Sequence, residues 1–276
     1  MTIALSVPTT TTTPTTPAVR DSRVGFRQAV AAEVSKLASL RSTKLLLGIT
    51  ILGTMLVTFL STNGAAHHPR QWYQGFGWDP TNQALAGLAI GSLVLGVLGV
   101  LAISGEYGSG TMRSSLAAVP RRETLFAAKV TVVGLLTLVV GEVMSFAAFF
   151  FGQAILSTGV APTAHLGQPG VLRAVVLSGA FLSLFALLGL GLGLIIRHTA
   201  GAIATFAGVT LLAPILLHTL AGHPDKYTPA IIFAQSVAAV APQDNQLSAT
   251  IGFMLMVLYT VAALAVGAVA LIKRDA

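Results

Sequence analysis

Six apolar stretches, each within or close to the ~17–25 residues that carry a helix through ~30 Å of hydrocarbon, decide what this chain can fold into. They lie near 45–61, 84–103, 128–152, 171–196, 200–220 and 249–272. The first is the shortest, and Lys44 at its start can extend its ammonium to the interface. Little more than Arg197, His198 and Thr199 separates the fourth stretch from the fifth, which predicts a tight antiparallel hairpin. The expected fold is therefore an all-α membrane protein of six transmembrane helices. Charge content agrees: 9% of residues are charged and 54% hydrophobic, where a soluble domain carries about 25% charged. The chain has no cysteine, which excludes disulfides, iron–sulfur clusters and thiol nucleophiles.

Orientation follows from the placement of Lys and Arg. Arg20, Arg23, Arg27, Lys36, Arg41 and Lys44 precede the first stretch, and Arg113, Arg121, Arg122 and Lys129 fall between the second and third. Arg197 follows the fourth, and Lys273 and Arg274 follow the sixth. Arg70, Arg173 and Lys226 are left for the other side. This bias predicts both termini in the cytoplasm and a multi-pass protein of the plasma membrane. It also assigns the net charge of +7 to the lipid bilayer and not to nucleic acid. Residues 1–19, rich in Thr and Pro, lack the basic start and apolar run of a secretory signal. They are expected to form a disordered cytoplasmic tail ahead of a transmembrane domain spanning 20–276. Residues 230–240, between Pro229 and Pro242, are too short to span. They predict a short interfacial or re-entrant helix on the outer side.

Two further segments have helical patterns without crossing. Over 24–43, Phe26, Val30, Val34, Leu37 and Leu40 form one apolar stripe, the pattern of a helix lying in the headgroup plane. Glu33 and Arg41 fall inside that stripe, which points to a specific protein contact. Between the second and third stretches, Gly105, Gly108 and Gly110 interrupt the helix leaving the membrane. Ser109 or Thr111 can cap a new helix over 111–119, which Pro120 ends. Met112, Leu116 and Val119 make one apolar edge of that short piece, suited to a socket on a cytoplasmic partner.

These residues resemble the permease subunits of type-2 ABC exporters, the ABC-2 membrane family. The matching features are Glu106-Tyr107, then Gly110-Thr111, Arg113, Leu116, Pro120, Arg121 and Lys129, with a basic lead-in of Glu33, Lys36, Leu40 and Arg41. The resemblance implies that 24–43 is a membrane-parallel connecting helix and 111–119 a coupling helix that docks on a separate ATP-binding subunit. It implies two permease subunits, as a homodimer or heterodimer, working with two ATPase subunits that carry ATP and Mg. It also implies that Glu106 and Arg113 help to hold the junction.

The chain supplies no nucleotide site of its own, since none of its five lysines follows a glycine as a P-loop requires. ATP hydrolysis is therefore expected in a partner, and no cofactor is expected on this chain. A membrane enzyme has little support: there is no HExxH pattern, and the adjacent His67 and His68 read as a solvated loop pair. Glu142, the one acid well inside a span, marks a pathway position or a buried neutral group bonded to a neighbour such as Ser145. It also supports the alternative of an ion-coupled carrier, or a subunit of another membrane complex. Gly87 with Gly91, and Gly189 with Gly193, have the spacing that lets helices approach closely, within one subunit or between two.

Overall fold

The computed structural model describes residues 25–67, 78–119, 121–220, 224–239 and 246–273. The 1–19 segment, Pro120 and His68 lie outside them. The described residues form ten α-helices and no strand: α1 (Phe26–Ser39), α2 (Arg41–His67), α3 (Pro80–Leu85), α4 (Leu88–Gly108), α5 (Thr111–Ala118), α6 (Arg122–Leu156), α7 (Val171–Ile196), α8 (Thr199–His218), α9 (Pro229–Ser236) and α10 (Ala249–Lys273). Six of them, α2, α4, α6, α7, α8 and α10, are long and apolar enough to cross a membrane.

Helix α7 is the centre of the bundle and packs on α4, α6, α8 and α10. In their most apolar stretches, 67% of α7 and 61% of α4 is buried, against 22% for α2 and for α8. Apolar burial does not drive association in lipid, so close backbone approach has to do it. Glycines allow that approach. A Cβ on Gly99 of α4 would overlap the Ala186 carbonyl of α7, and one on Gly189 of α7 would overlap the Gly96 carbonyl of α4. Gly87 faces the Thr54 carbonyl, Gly91 lies between Thr54 and Leu182, and Gly193 lies against Ile103 and Val100. Both small-residue pairs seen in the sequence thus serve contacts inside the subunit.

Helix α2 packs through hydroxyls instead. Thr50, Thr54, Thr58 and Thr62, one helical turn apart, are all fully buried. Thr50 and Thr62 return their hydroxyl protons to the carbonyls of Leu46 and Thr58, and Thr58 donates to Ala84 at 3.2 Å. The opposite face of α2 exposes Leu45, Leu52, Leu56 and Leu60. At the end of the bundle away from α5, Asp79 ties two segments together. Its Oδ1 accepts the Thr81 and Asn82 amides at the start of α3, and its Oδ2 accepts the Ala239 amide after α9. Phe233 of α9 meets Phe181 and Phe185 edge to face, which anchors α9 on the core.

The amphipathic segment departs from a single helix over 24–43. Leu40 is extended (ψ 125°), and α2 begins at the next residue. Ser39 contributes by donating its hydroxyl to the Lys36 carbonyl, a local bond that competes with continued helix. The buried face of α1 also matches the stripe read from the sequence only in part, at Leu37 and the partly buried Val30. Ala29, Glu33 and Leu37 are buried against α6, while Phe26, Val34 and Leu40 are about half exposed.

Candidate functional site

Four charged side chains from α1, α4 and α6 meet at one end of the bundle, beside α5. The Lys129 ammonium of α6 donates to Glu33 Oε2 of α1 (2.6 Å), Glu106 Oε1 of α4 (2.9 Å) and the Ala102 carbonyl (3.3 Å). The Lys36 ammonium donates to Glu33 Oε1 (2.8 Å), Glu106 Oε1 (3.1 Å) and Ser115 Oγ of α5 (2.9 Å). An ammonium has three donors, and each lysine uses all three. The two carboxylates and two ammoniums balance in charge.

Burial makes this arrangement necessary. Glu33 is 3% and Lys129 4% exposed, and neither charge is tolerable there without a bonded opposite. Burial alone would raise the Glu33 carboxyl, but the bonded Lys129 and Lys36 ammoniums outweigh it and hold Glu33 below the usual carboxylate range. For Lys36, burial acts to lower the ammonium, and the bonds and charges of Glu33 and Glu106 overcome it, raising Lys36 above the usual lysine range. The stabilisation from Glu33 is therefore present above its unfolded pKa and is lost as pH falls through its folded one. That from Lys36 is lost only as pH rises through its raised value. At neutral pH both groups are charged and the cluster is intact.

The α5 helix hangs from this cluster. Gly110 enters it in a left-handed conformation (φ 73°), which only glycine adopts at no steric cost. Ser115 accepts from Lys36 and donates to the Thr111 carbonyl. Met112 and Val119 are buried and Leu116 is partly buried, so the apolar edge turns inward onto the protein's own core. The face left exposed carries Thr111, Arg113, Ser114, Ala117 and Ala118, followed by Arg121. A partner would meet that polar and basic face, not the apolar edge.

The residues predicted from the sequence fall into two groups. Glu33, Lys36 and Glu106 join the internal cluster, whereas Arg113, Thr111, Arg121 and Arg41 are exposed. Tyr107 belongs to a neighbouring joint. The Arg197 guanidinium lies 5.1 Å from its ring centroid and donates to the Ala270 carbonyl at 2.7 Å. Arg122 donates to the Leu271 and Ile272 carbonyls. These are carbonyls of the last turn of α10, which lack intrahelical partners, so two arginines fasten the last span to α6 and α7. Lys129 and Ser115 are the cluster members that the sequence reading did not single out as site residues. Lys129 entered only as a basic residue and as one feature of the family resemblance, although it stands about two turns inside α6.

Glu142 lies apart from this end. Its carboxyl fills a notch over Gly179 of α7, where a Cβ would collide with it. Ser145 does not bond it, because the Ser145 hydroxyl donates to the Val175 carbonyl at 2.6 Å. At the far end, a pocket of about 270 Å³ opens between α3, α4, α8 and α9, lined by Asn82, Leu85, Ala89, Thr210 and Phe233 among others. There α8 widens into a π-turn over Gly208–Leu212, just ahead of Pro214. Thr210 in that turn is 2% exposed, and its hydroxyl has no hydrogen-bond partner among the described residues.

A family model described as "ABC-2 family transporter protein" matches residues 29–206, well over half of the chain. The match begins inside α1 and takes in the whole charge cluster. No curated protein matches the chain.

Proposed function

The chain belongs to the ABC-2 family of transporter proteins, and on that premise we propose that it is the permease subunit of an ABC exporter. In this reading two permease subunits form the pathway, and two ATP-binding subunits dock on the cytoplasmic end and carry ATP and Mg. The termini and α5 then lie in the cytoplasm, and α3 and α9 lie on the outer side. The observation that carries the reading is the Glu33–Lys36–Glu106–Lys129 cluster, which ties α5 rigidly to α1, α4 and α6. A push on the exposed face of α5 cannot be absorbed locally, because Lys36 and Ser115 pass it to α1 and α4, and Lys129 passes it to α6. ATP-driven closure of the ATPase pair would in this way tilt the second and third spans. The apolar pocket beside the π-turn gives the outer half room for the greasy part of a hydrophobic or amphiphilic substrate.

Glu142 gives the carrier alternative little. The described residues place no charged or hydrogen-bonding partner on its carboxyl, and a proton relay needs a second group to receive the proton.

Arg113 is the basic residue most central to the exposed face of α5. Arg113→Glu is expected to reduce recovery of an ABC ATP-binding subunit in affinity purification at least fivefold. Arg173→Glu, on α7 at the opposite end, should leave recovery unchanged. Equal recovery from the two variants would remove α5 as the docking element.

A further inference from the structure

A groove of about 520 Å³ runs beneath α1, between α1, the start of α2 and the first half of α6. Nine of its twelve lining residues are aliphatic, among them Val34, Leu37, Leu47, Val132 and Val139. We propose that it holds one acyl chain of an anionic phospholipid, with the headgroup at Lys44 and Arg41.

Three observations select this occupant. The first is charge. Among the described residues, Lys44 is the only charged one in the lining, and no carboxylate lines the groove. Arg41 stands three residues before Lys44, on the same side of α2, and both are exposed. The nearest acid on α1, Glu33, is turned away and neutralised by two lysines. The second is position. The α6 wall continues into Leu135 and Val139, 58% and 62% exposed, on a helix apolar enough to span the membrane. The groove therefore opens toward lipid at the level where α2 begins, where headgroup meets chain. The third is size. Along α6 the groove runs from Thr131 to Val139, about 12 Å of helix. That length and a volume of about 520 Å³ suit a single extended acyl chain lying along α6. A lipid there would wedge α1 against α6 beside the charge cluster. The inference rests on the membrane spans alone and is independent of the exporter reading.

The test is native mass spectrometry of the detergent-purified protein, offered equimolar phosphatidylglycerol and phosphatidylcholine with identical chains. Wild type is expected to retain phosphatidylglycerol in clear excess, and Lys44→Glu to reduce that retention about fivefold or more, the weight of one basic residue at an anionic surface. A photoreactive acyl chain should label peptides of α1, α2 and α6. Equal retention of the two lipids, unchanged retention in Lys44→Glu, or labelling centred on α8 and α10 would each overturn the proposal.

Discussion

Lys129→Met should unfold this protein more readily than any other single change at the α5 end, lowering its unfolding free energy by about 3–5 kcal/mol. The methionine fills much of the same space, so lost packing is not the cause. The cause is that Glu33, 3% exposed, would keep its charge with only the half-exposed Lys36 to balance it. Glu106 would lose a 2.9 Å bond as well, in the last turn of a helix whose dipole already disfavours an acid. The sign of the double variant separates charge from shape. Lys129→Met with Glu33→Leu removes one charge of each sign and should recover more than half of the loss, because a buried pair can be replaced by apolar groups at little net cost. Unfolding of the purified protein by increasing denaturing detergent measures both. A single variant as stable as wild type would show that the cluster is not the structural joint described above.

A smaller chemical change should have a comparable effect where α4 and α7 touch. Alanine usually stabilises a helix relative to glycine, by up to about 1 kcal/mol. At Gly99 the expected sign is reversed. The new methyl would overlap the Ala186 carbonyl, which is backbone and cannot rotate aside, so α4 and α7 must separate along their length. Overpacking of this kind costs about 1–3 kcal/mol, and more where the contact is central to the bundle. Gly105, on the same helix but with nothing within 4 Å of an added Cβ, should tolerate alanine without loss. Opposite outcomes for Gly99→Ala and Gly105→Ala in the same unfolding assay are predicted; equal outcomes would contradict the packing described for α4.

The spans were legible in the sequence because a long apolar run has few alternatives once charge is scarce. The short helix after α4 was legible for the same local reasons, but α4 runs on through Gly105 and Gly108, which were expected to break it, and ends only at Ser109–Gly110, where the left-handed residue is Gly110 and not a Ser or Thr cap. The charge cluster was not, since it joins residues 96 positions apart, Glu33 and Lys129, and no periodicity reports that. The family resemblance named all four of its residues without joining them, and the trace in the residues themselves was an acid inside an apolar stripe on α1, which pointed to a protein contact without saying that the contact is internal. The threonine face of α2 was hidden for another reason. Patterns tuned to water mark Thr as polar and outward, yet in lipid its hydroxyl bonds the preceding turn and its small size suits a helix contact. The apolar edge of α5 was seen but assigned to a partner, because a sequence does not show whether the chain's own core is near enough to cover it.

The proposed function turns on docking of an ABC ATP-binding subunit at the exposed face of α5. It is tested most directly by placing a photo-crosslinking residue at Ala117, exposed on that face, and at Val160, exposed at the far end of the bundle. Crosslinking in intact cells should capture an ATP-binding subunit from Ala117 and not from Val160. Capture from neither position, or equally from both, would contradict the account.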